Sequence, residues 1–272
     1  MNYGIILTAG NIHEMVEMAV AAEAAGWDGV FYWDAIAIGN TTIYDPWVVL
    51  AAIAMRTERV RIGAIITPPS RRRPWKLARE TMTLDQLSHG RLVLPVGLGA
   101  LDDVAFGGVG EATEARTRAE LLDESLEILT RAWSGKPFSH QGKHFTTAEM
   151  TFQPPSFQQP RIPIWVVAAW PRPKSVDRAL RYDGMLPQIL LAQRPTADDF
   201  RAIATLASER RAPNARPFDI IAEGVTPTND PDAARAQVQP LADAGATWWI
   251  ESRWEDGTVA TLRARIAAGP PR

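Results

Sequence analysis

Strand-like and helix-like segments alternate along this chain from end to end, eight times over, and that alternation restricts the fold more than any other feature. Short apolar runs read as strands at Tyr3–Leu7, Gly29–Trp33, Val60–Ile66, Leu92–Leu98, Ile164–Ala168, Gly184–Pro187, Asp219–Thr226 and Thr247–Glu251. The near-continuous apolar character of Val60–Ile66 suits a strand buried on both faces. Between the strands lie helical patterns. Ile12, Met15, Val16 and Ala19 recur at helical spacing before a stop at Gly26, and Asp45-Pro46 carries the chemistry of a helix start. Pro74–Ser88 reads as a helix closed by Gly90, and Leu122, Leu126, Leu129 and Trp133 form one stripe of a long amphipathic helix. Lys174–Arg181, Thr196–Arg211, Pro231–Ala244 and Thr258–Ala268 follow. Phe138–Thr147 interrupts the pattern as a small hairpin or lobe, and the proline-rich stretch Pro154–Pro163 leads back into it.

Such alternation belongs to an α/β fold with parallel strands, either a closed barrel or a doubly wound sheet. Eight units in 272 residues match the (β/α)8 TIM barrel, which needs about 250. No strand-to-helix turn carries GxGxxG; Gly97-Leu98-Gly99 lacks the third glycine. Residues 1–272 are therefore expected to form a single TIM-barrel domain.

Composition narrows the function classes. With 46% hydrophobic residues the chain can bury a large core. A net charge of −2, with both signs interspersed, disfavours a nucleic-acid surface or a polybasic membrane anchor. The absence of cysteine excludes disulfides, thiol catalysis and zinc–thiolate sites and fits a cytoplasmic protein. Met1–Leu7 has no signal-peptide pattern, and no apolar run is long enough to span a bilayer. Four scattered histidines, with no HxH on a strand, give no metal-ligand cluster, so no metal is expected.

In a TIM barrel the active site forms where the loops after the strands converge, at the C-terminal strand ends. That rule ranks Trp33 and Asp34, then Ile65, Ile66 and Thr67, Gly97 and Gly99, Ala168, Ala169 and Trp170, and finally Glu251 and Trp254. Asp34 reads as a general base or substrate anchor, or as a structural residue holding its loop. His13, just after the first strand, is either an acid/base group or a surface histidine at a helix start. Gly97 and Gly99 either admit a ligand close to the backbone or serve turn geometry. Asp102 and Asp103 belong to a lid or to an exposed turn, and Arg71, Arg72 and Arg73 to an anion contact or a solvated loop. Trp33, Trp170 and Trp254 are expected at the mouth as aromatic walls, with Trp133 and Trp165 in the core.

Between Asp45 and Gly99 the residues Thr57, Arg59, Arg61 and Gly63, then Arg73, Pro74, Leu77 and Ala78, then Leu84, Asp85, Leu87, Ser88, Gly90 and Arg91 form three ordered motifs. Phe138-Ser139, Gly142, His144-Phe145, the run Ile162–Val166, Asp183-Gly184 and the run Ala246–Glu251 extend the pattern. In this combination the chain resembles the bacterial-luciferase-like monooxygenase superfamily over nearly its whole length. The LDxLSxGR segment itself reads as core and helix-stop chemistry, with Leu84 and Leu87 packing inward and Arg91 pairing locally.

The resemblance implies an oxidoreductase that holds reduced FMN or the 8-hydroxy-5-deazaflavin coenzyme F420 and acts on a small organic substrate. Either reduced FMN from a separate flavin reductase activates oxygen, or the deazaflavin exchanges hydride. It also implies a homodimer. A bulge with a non-proline cis peptide, expected near Ala64–Ile65, backs the ring together with Ile66. The loop Ala168-Ala169-Trp170 stands where the family binds the cofactor phosphate, with Arg172 and Lys174 behind it, although the usual small glycines are replaced. A second departure concerns strand 2, where the family's Trp-Asp-His is Trp33-Asp34-Ala35. Ala35 transfers no proton. A non-catalytic flavin- or deazaflavin-binding protein is the alternative that these departures raise.

Overall fold

The structure is a computed structural model, and it describes residues 1–100, 103–189 and 194–272. In chain order it contains β1 (Asn2–Ile6), α1 (Ile12–Ala24), β2 (Gly29–Tyr32), α2 (Pro46–Ala54), β3 (Arg61–Ala64), α3 (Pro74–Leu87), β4 (Leu94–Val96), α4 (Val104–Gly107) and α5 (Ala115–Trp133). An antiparallel hairpin, β5 (Phe138–Gln141) and β6 (Thr146–Met150), is inserted next. The remainder is β7 (Ile164–Trp170), α6 (Pro173–Leu180), β8 (Gly184–Ile189), α7 (Ala197–Arg210), β9 (Asp219–Gly224), α8 (Pro231–Asp243), β10 (Trp248–Glu251) and α9 (Val259–Ala267). All eight expected strands and the hairpin are present; the short α4 is the added element.

Eight parallel strands run in the order β3-β2-β1-β10-β9-β8-β7-β4. The two end strands meet through bridges Ile62↔Leu92 and Thr67↔Val96, which close the barrel. Between those bridges the chain advances five residues on the β3 side and four on the β4 side, so β3 carries one extra residue, the arithmetic of a β-bulge. The Thr67 hydroxyl closes the bulge by donating to the Ala64 carbonyl at 3.3 Å. Gly63 is required at this seam, because a Cβ there would sit 2.6 Å from the Val93 carbonyl oxygen. The barrel interior is filled from non-adjacent strands. Phe31 on β2, Trp165 on β7 and Trp248 on β10 meet with ring centroids 5.2–6.1 Å apart. Trp133 and Trp165 are buried, as their sequence context predicts.

The helices follow their start signals. Asp45 accepts from the Trp47 and Val48 amides at 2.9 and 3.2 Å, with Pro46 behind it. The LDxLSxGR segment ends α3: His89 and Gly90 both take positive φ, and buried Arg91 donates to Ala54 O, Ser88 O and Thr57 Oγ1 at 2.8–2.9 Å. The Thr57 and Arg91 motifs therefore form one physical unit, tying the end of α2 to the start of β4. Leu84 is buried as expected, whereas Leu87, at the last position of α3, is 36% exposed. Its helix ends before another turn can cover it. Among the described residues no helix is long and apolar enough to cross a membrane.

The hairpin docks on α5 through charge. Glu120 accepts from Lys143 at 2.6 Å and lies 3.2 Å from His144 Nε2. These partners, Lys143 first, lower its carboxyl pKa from 4.5 to about 2. A carboxylate depressed in this way favours the docked state above its free value and loses that contribution as pH falls from 4.5 toward 2. The Glu120 carboxyl carbon in an NMR titration should show a midpoint near 2, and Lys143→Met should move it upward toward 4.5. For the core, Arg91→Leu leaves buried carbonyls unpartnered and should cost about 3 kcal/mol. A urea melt checks it as a lower midpoint at unchanged slope.

Candidate active site

The C-terminal strand ends form the mouth of the barrel, and the bulge between β3 and β4 shapes its floor. The peptide bond between Ile65 and Ile66 is cis, one bond beyond the expected Ala64–Ile65 position. Ala64 and Ile65 are buried and Ile66 is half-buried. A Cβ on Gly97 would lie 3.0 Å from Ile66 Cγ2 and 3.2 Å from Val167 Cβ. The ends of β3, β4 and β7 thus touch at one point, and a side chain at position 97 would force them apart. Gly99 has φ +77° and faces Phe106 of α4, so it serves the turn after β4.

The loop after β7 offers little free backbone. The Ala169 amide donates to Ser175 Oγ at 2.9 Å, the Arg172 amide to Ala169 O at 2.8 Å, and Pro171 and Pro173 have no N–H. Ala168 is buried, and the Trp170 indole is held by Asp199 Oδ1 at 2.9 Å. Arg172 and Lys174 are exposed at the start of α6.

Asp34 is pinned. Its Oδ1 accepts from Arg71 at 3.0 Å and its Oδ2 from Arg72 at 2.8 and 3.1 Å, while Arg71 also donates to the Asp34 carbonyl at 2.6 Å. The Asp34 and Arg71 side chains are 2% and 3% exposed. This pair ties the end of β2 to the single 3-10 turn Pro69–Arg71 that follows the bulge. Arg71 also approaches Asp103, the α4 N-cap, at 3.6 Å, and stacks over Phe106 at 5.1 Å. Asp102 lies outside the described residues.

Trp33 and Trp254 meet edge to face at 6.0 Å, and the Trp254 indole N–H donates to Glu223 Oε1 at 3.0 Å. These side chains span the mouth from β2 to β9. The Trp33 Nε1 and the Ser70 Oγ are buried without a partner among the described residues. Trp33 follows β2 and Ser70 follows the bulge in the chain, and two such atoms are what the carbonyl and nitrogen edge of a flavin-like ring would satisfy, so the residues present fit such a group.

Across the mouth from the bulge the barrel opens. Among the described residues β8 pairs with β9 at Gly184↔Asp219 and Met185↔Ile220 alone. Beyond that point β8 stays with β7 as far as Ile189, and β9 with β10 as far as Gly224. A cavity of about 750 Å³ fills the gap, lined among others by Gln188, Arg194, Glu223, Ser252 and Trp254. Of these, only Trp254 follows from the strand-end ranking. Glu223 had a readable signal: it is the third member of the Asp219, Ile221, Glu223 face, a charge at the C-terminal end of the strand after the apolar run Ile220-Ile221-Ala222.

Other candidates lie elsewhere. Glu251 is fully buried and faces the helix layer, accepting from the Thr226 amide and hydroxyl at 3.0 and 2.7 Å with Arg265 3.5 Å away. His13 is exposed on the first turn of α1. His89 sits in the turn after α3, and His140 and His144 bind Glu124 and Glu120 of α5. Among the described residues no cluster of three or more His, Asp or Glu side chains could hold a metal ion.

The model of the luciferase-like monooxygenase family matches residues 1–267. The chain belongs to that family. Its membership bears out the resemblance carried by the three motifs. Among its relatives in that family, the F420-dependent glucose-6-phosphate dehydrogenase of Intrasporangium calvum is 30% identical over 277 residues, covering 89% of this chain and 80% of the relative. The enzyme of the same name from Rhodococcus erythropolis is 28% identical, covering 94% and 85%. The solved F420-dependent tetrahydromethanopterin reductase of Methanopyrus kandleri superposes with a TM-score of 0.77 at 19% identity, covering 98% of this chain and 97% of the other. That likeness establishes the barrel. The expectation of a flavin- or deazaflavin-dependent oxidoreductase of this family stands with these relatives.

Asp34→Asn removes the counter-charge of a buried arginine and should destabilise this luciferase-like barrel by about 3 kcal/mol. Urea denaturation measures it; an unchanged midpoint would mean that Arg71 finds other partners.

Proposed function

We propose that this chain is a deazaflavin-dependent oxidoreductase whose cofactor ring lies in the mouth against the bulge. The observation that carries the reading is the convergence of Ile66, Gly97 and Val167 from three strand ends, together with the orphaned Trp33 Nε1 and Ser70 Oγ. The bound cofactor would supply two-electron hydride chemistry. Ile65 and Ile66 would back the ring, Gly97 would keep the floor flat, and Trp33 and Ser70 would bond its polar edge. Ala168, Ala169 and Trp170 would flank its tail, with Arg172 and Lys174 as the exposed cations near an anionic end. Support for a deazaflavin over FMN comes from the relatives, whose name is F420-dependent glucose-6-phosphate dehydrogenase.

In this reading Asp34 is a positioning residue, because both its oxygens are engaged by arginines. A proton-transferring histidine has no counterpart at Ala35. Those two facts favour one second reading, cofactor binding without turnover. A homodimer belongs to the proposal as well: Val48 on α2 and Met55 at its C-terminal cap, seven residues apart, are 62% and 66% exposed.

Titration of the purified protein with oxidised F420 and with FMN tests the reading. F420 should bind at least roughly tenfold more tightly, about 1.4 kcal/mol. Gly97→Val should weaken that binding by a similar factor while leaving the circular-dichroism spectrum intact. Tighter FMN binding would instead indicate an oxygenase served by a separate reductase. Absence of binding by either would remove the slot assignment.

A further inference from the structure

The cleft between β8 and β9 holds a carboxylate that lies outside every family motif in the sequence. On β9 the inward face runs Asp219, Ile221, Glu223: Asp219 accepts from Trp165 Nε1 inside the barrel, and Glu223 lines the cleft two pairs further on. Three of the other carboxylates near the strand ends are engaged, while Glu255 is exposed on the loop after β10. Asp34 is bound by Arg71 and Arg72, Glu251 by Thr226 and Trp249, and Asp256 by Arg253 at 2.6 Å. Glu223 uses Oε1 for the Trp254 indole, and among the described residues its Oε2 makes no hydrogen bond.

The groups around it are mixed in kind. Glu223 accepts only, Arg194 donates only, and Gln188 and Ser252 do both. Trp254, half-exposed and fixed by Glu223, supplies a flat apolar surface to the lining, which also includes Leu186 and Ile221. Acceptors and donors in one lining with an aromatic surface match a molecule whose hydroxyl groups both donate and accept while its C–H face is apolar. A phosphate monoester is a poor match. It carries acceptors and negative charge, and among the described residues of the cleft lining it would meet Glu223 and Glu255 against the cation Arg194, with Asp256 already paired by Arg253.

We propose that this cleft is the substrate site for an uncharged polyol or unphosphorylated sugar, and that Glu223 sets this specificity by accepting a substrate hydroxyl at Oε2. The inference rests on the proposed function for placing the redox centre at this mouth. The selectivity itself is a property of the cleft. It distinguishes the chain from its relatives named for glucose 6-phosphate.

The test is equilibrium binding to the full-length protein without cofactor, read as the tryptophan emission that Trp254→Phe removes. D-glucose and D-mannitol should change that emission saturably. Glucose 6-phosphate should bind at least roughly tenfold more weakly than the better neutral ligand. Glu223→Gln retains an acceptor for the Trp254 indole and replaces the free acceptor with a donor. It should weaken the neutral ligand by roughly tenfold, the factor expected for a hydrogen bond to a charged group. Preferential binding of glucose 6-phosphate, no saturable signal from either neutral probe, or an unaltered affinity in Glu223→Gln would each overturn the proposal. A parallel F420 titration, read by the cofactor's own fluorescence, keeps the two claims apart. Glu223→Gln should leave that affinity within roughly twofold. Failure of F420 to bind the wild type would count against the proposed function and not against the cleft.

Discussion

The active end of this barrel depends on how its first quarter joins its second. β3 and β4 meet by two separated bridges, with one more residue on the β3 side, and everything at the mouth takes its position from that seam. Gly63 lets the backbones approach at its lower end, and Gly97 lets Ile66 and Val167 meet at its upper end. Directly after the bulge, the Arg71 and Arg72 side chains reach back to Asp34 and lock the end of β2 against the same segment. A buried ion pair of this kind contributes little net stability compared with an apolar packing of equal volume, but breaking one side of it is costly. Its value here is positional: it holds three consecutive strand ends in one arrangement.

The opposite side of the mouth is built by the reverse device. β8 and β9 pair for two residues and then separate, each remaining with its other neighbour. Pro187 removes a backbone donor from β8 just past the last shared pair. Closure on one side and divergence on the other give a barrel with a firm floor for a flat ring and an adjoining cleft for a second molecule. Trp33, Trp254 and Glu223 connect the two across the top.

Much of this was legible in the amino-acid order. The strands, the helix stops at Gly26 and Gly90 and the hairpin follow from periodicity and turn chemistry, because each is a local consequence of local residues. Arg91 was recognisable as structural, since its motif lies at the bottom of the barrel and not at the mouth. Asp34 shows the limit. Its position at a strand end permits catalysis or scaffolding equally, and the deciding contacts come from Arg71 and Arg72, 37 and 38 residues away. Glu251 shows the same limit in another form. A strand-end rule gives the end of the barrel but not the face, and alternation from inward Trp248 turns Glu251 outward. Glu223 could have been found by that same alternation on β9. The cleft it lines could not, because divergence of two strands leaves no mark in either strand alone.

The central claim is that the bulge between β3 and β4 is the floor of a deazaflavin site. A crystal structure with oxidised F420 bound measures it most directly. The account predicts the ring against Ile65 and Ile66, over Gly97, with a polar edge toward Trp33 or Ser70 and the β8–β9 cleft left open beside it. A ring lying in the β8–β9 cleft, or bound away from the bulge, would contradict it.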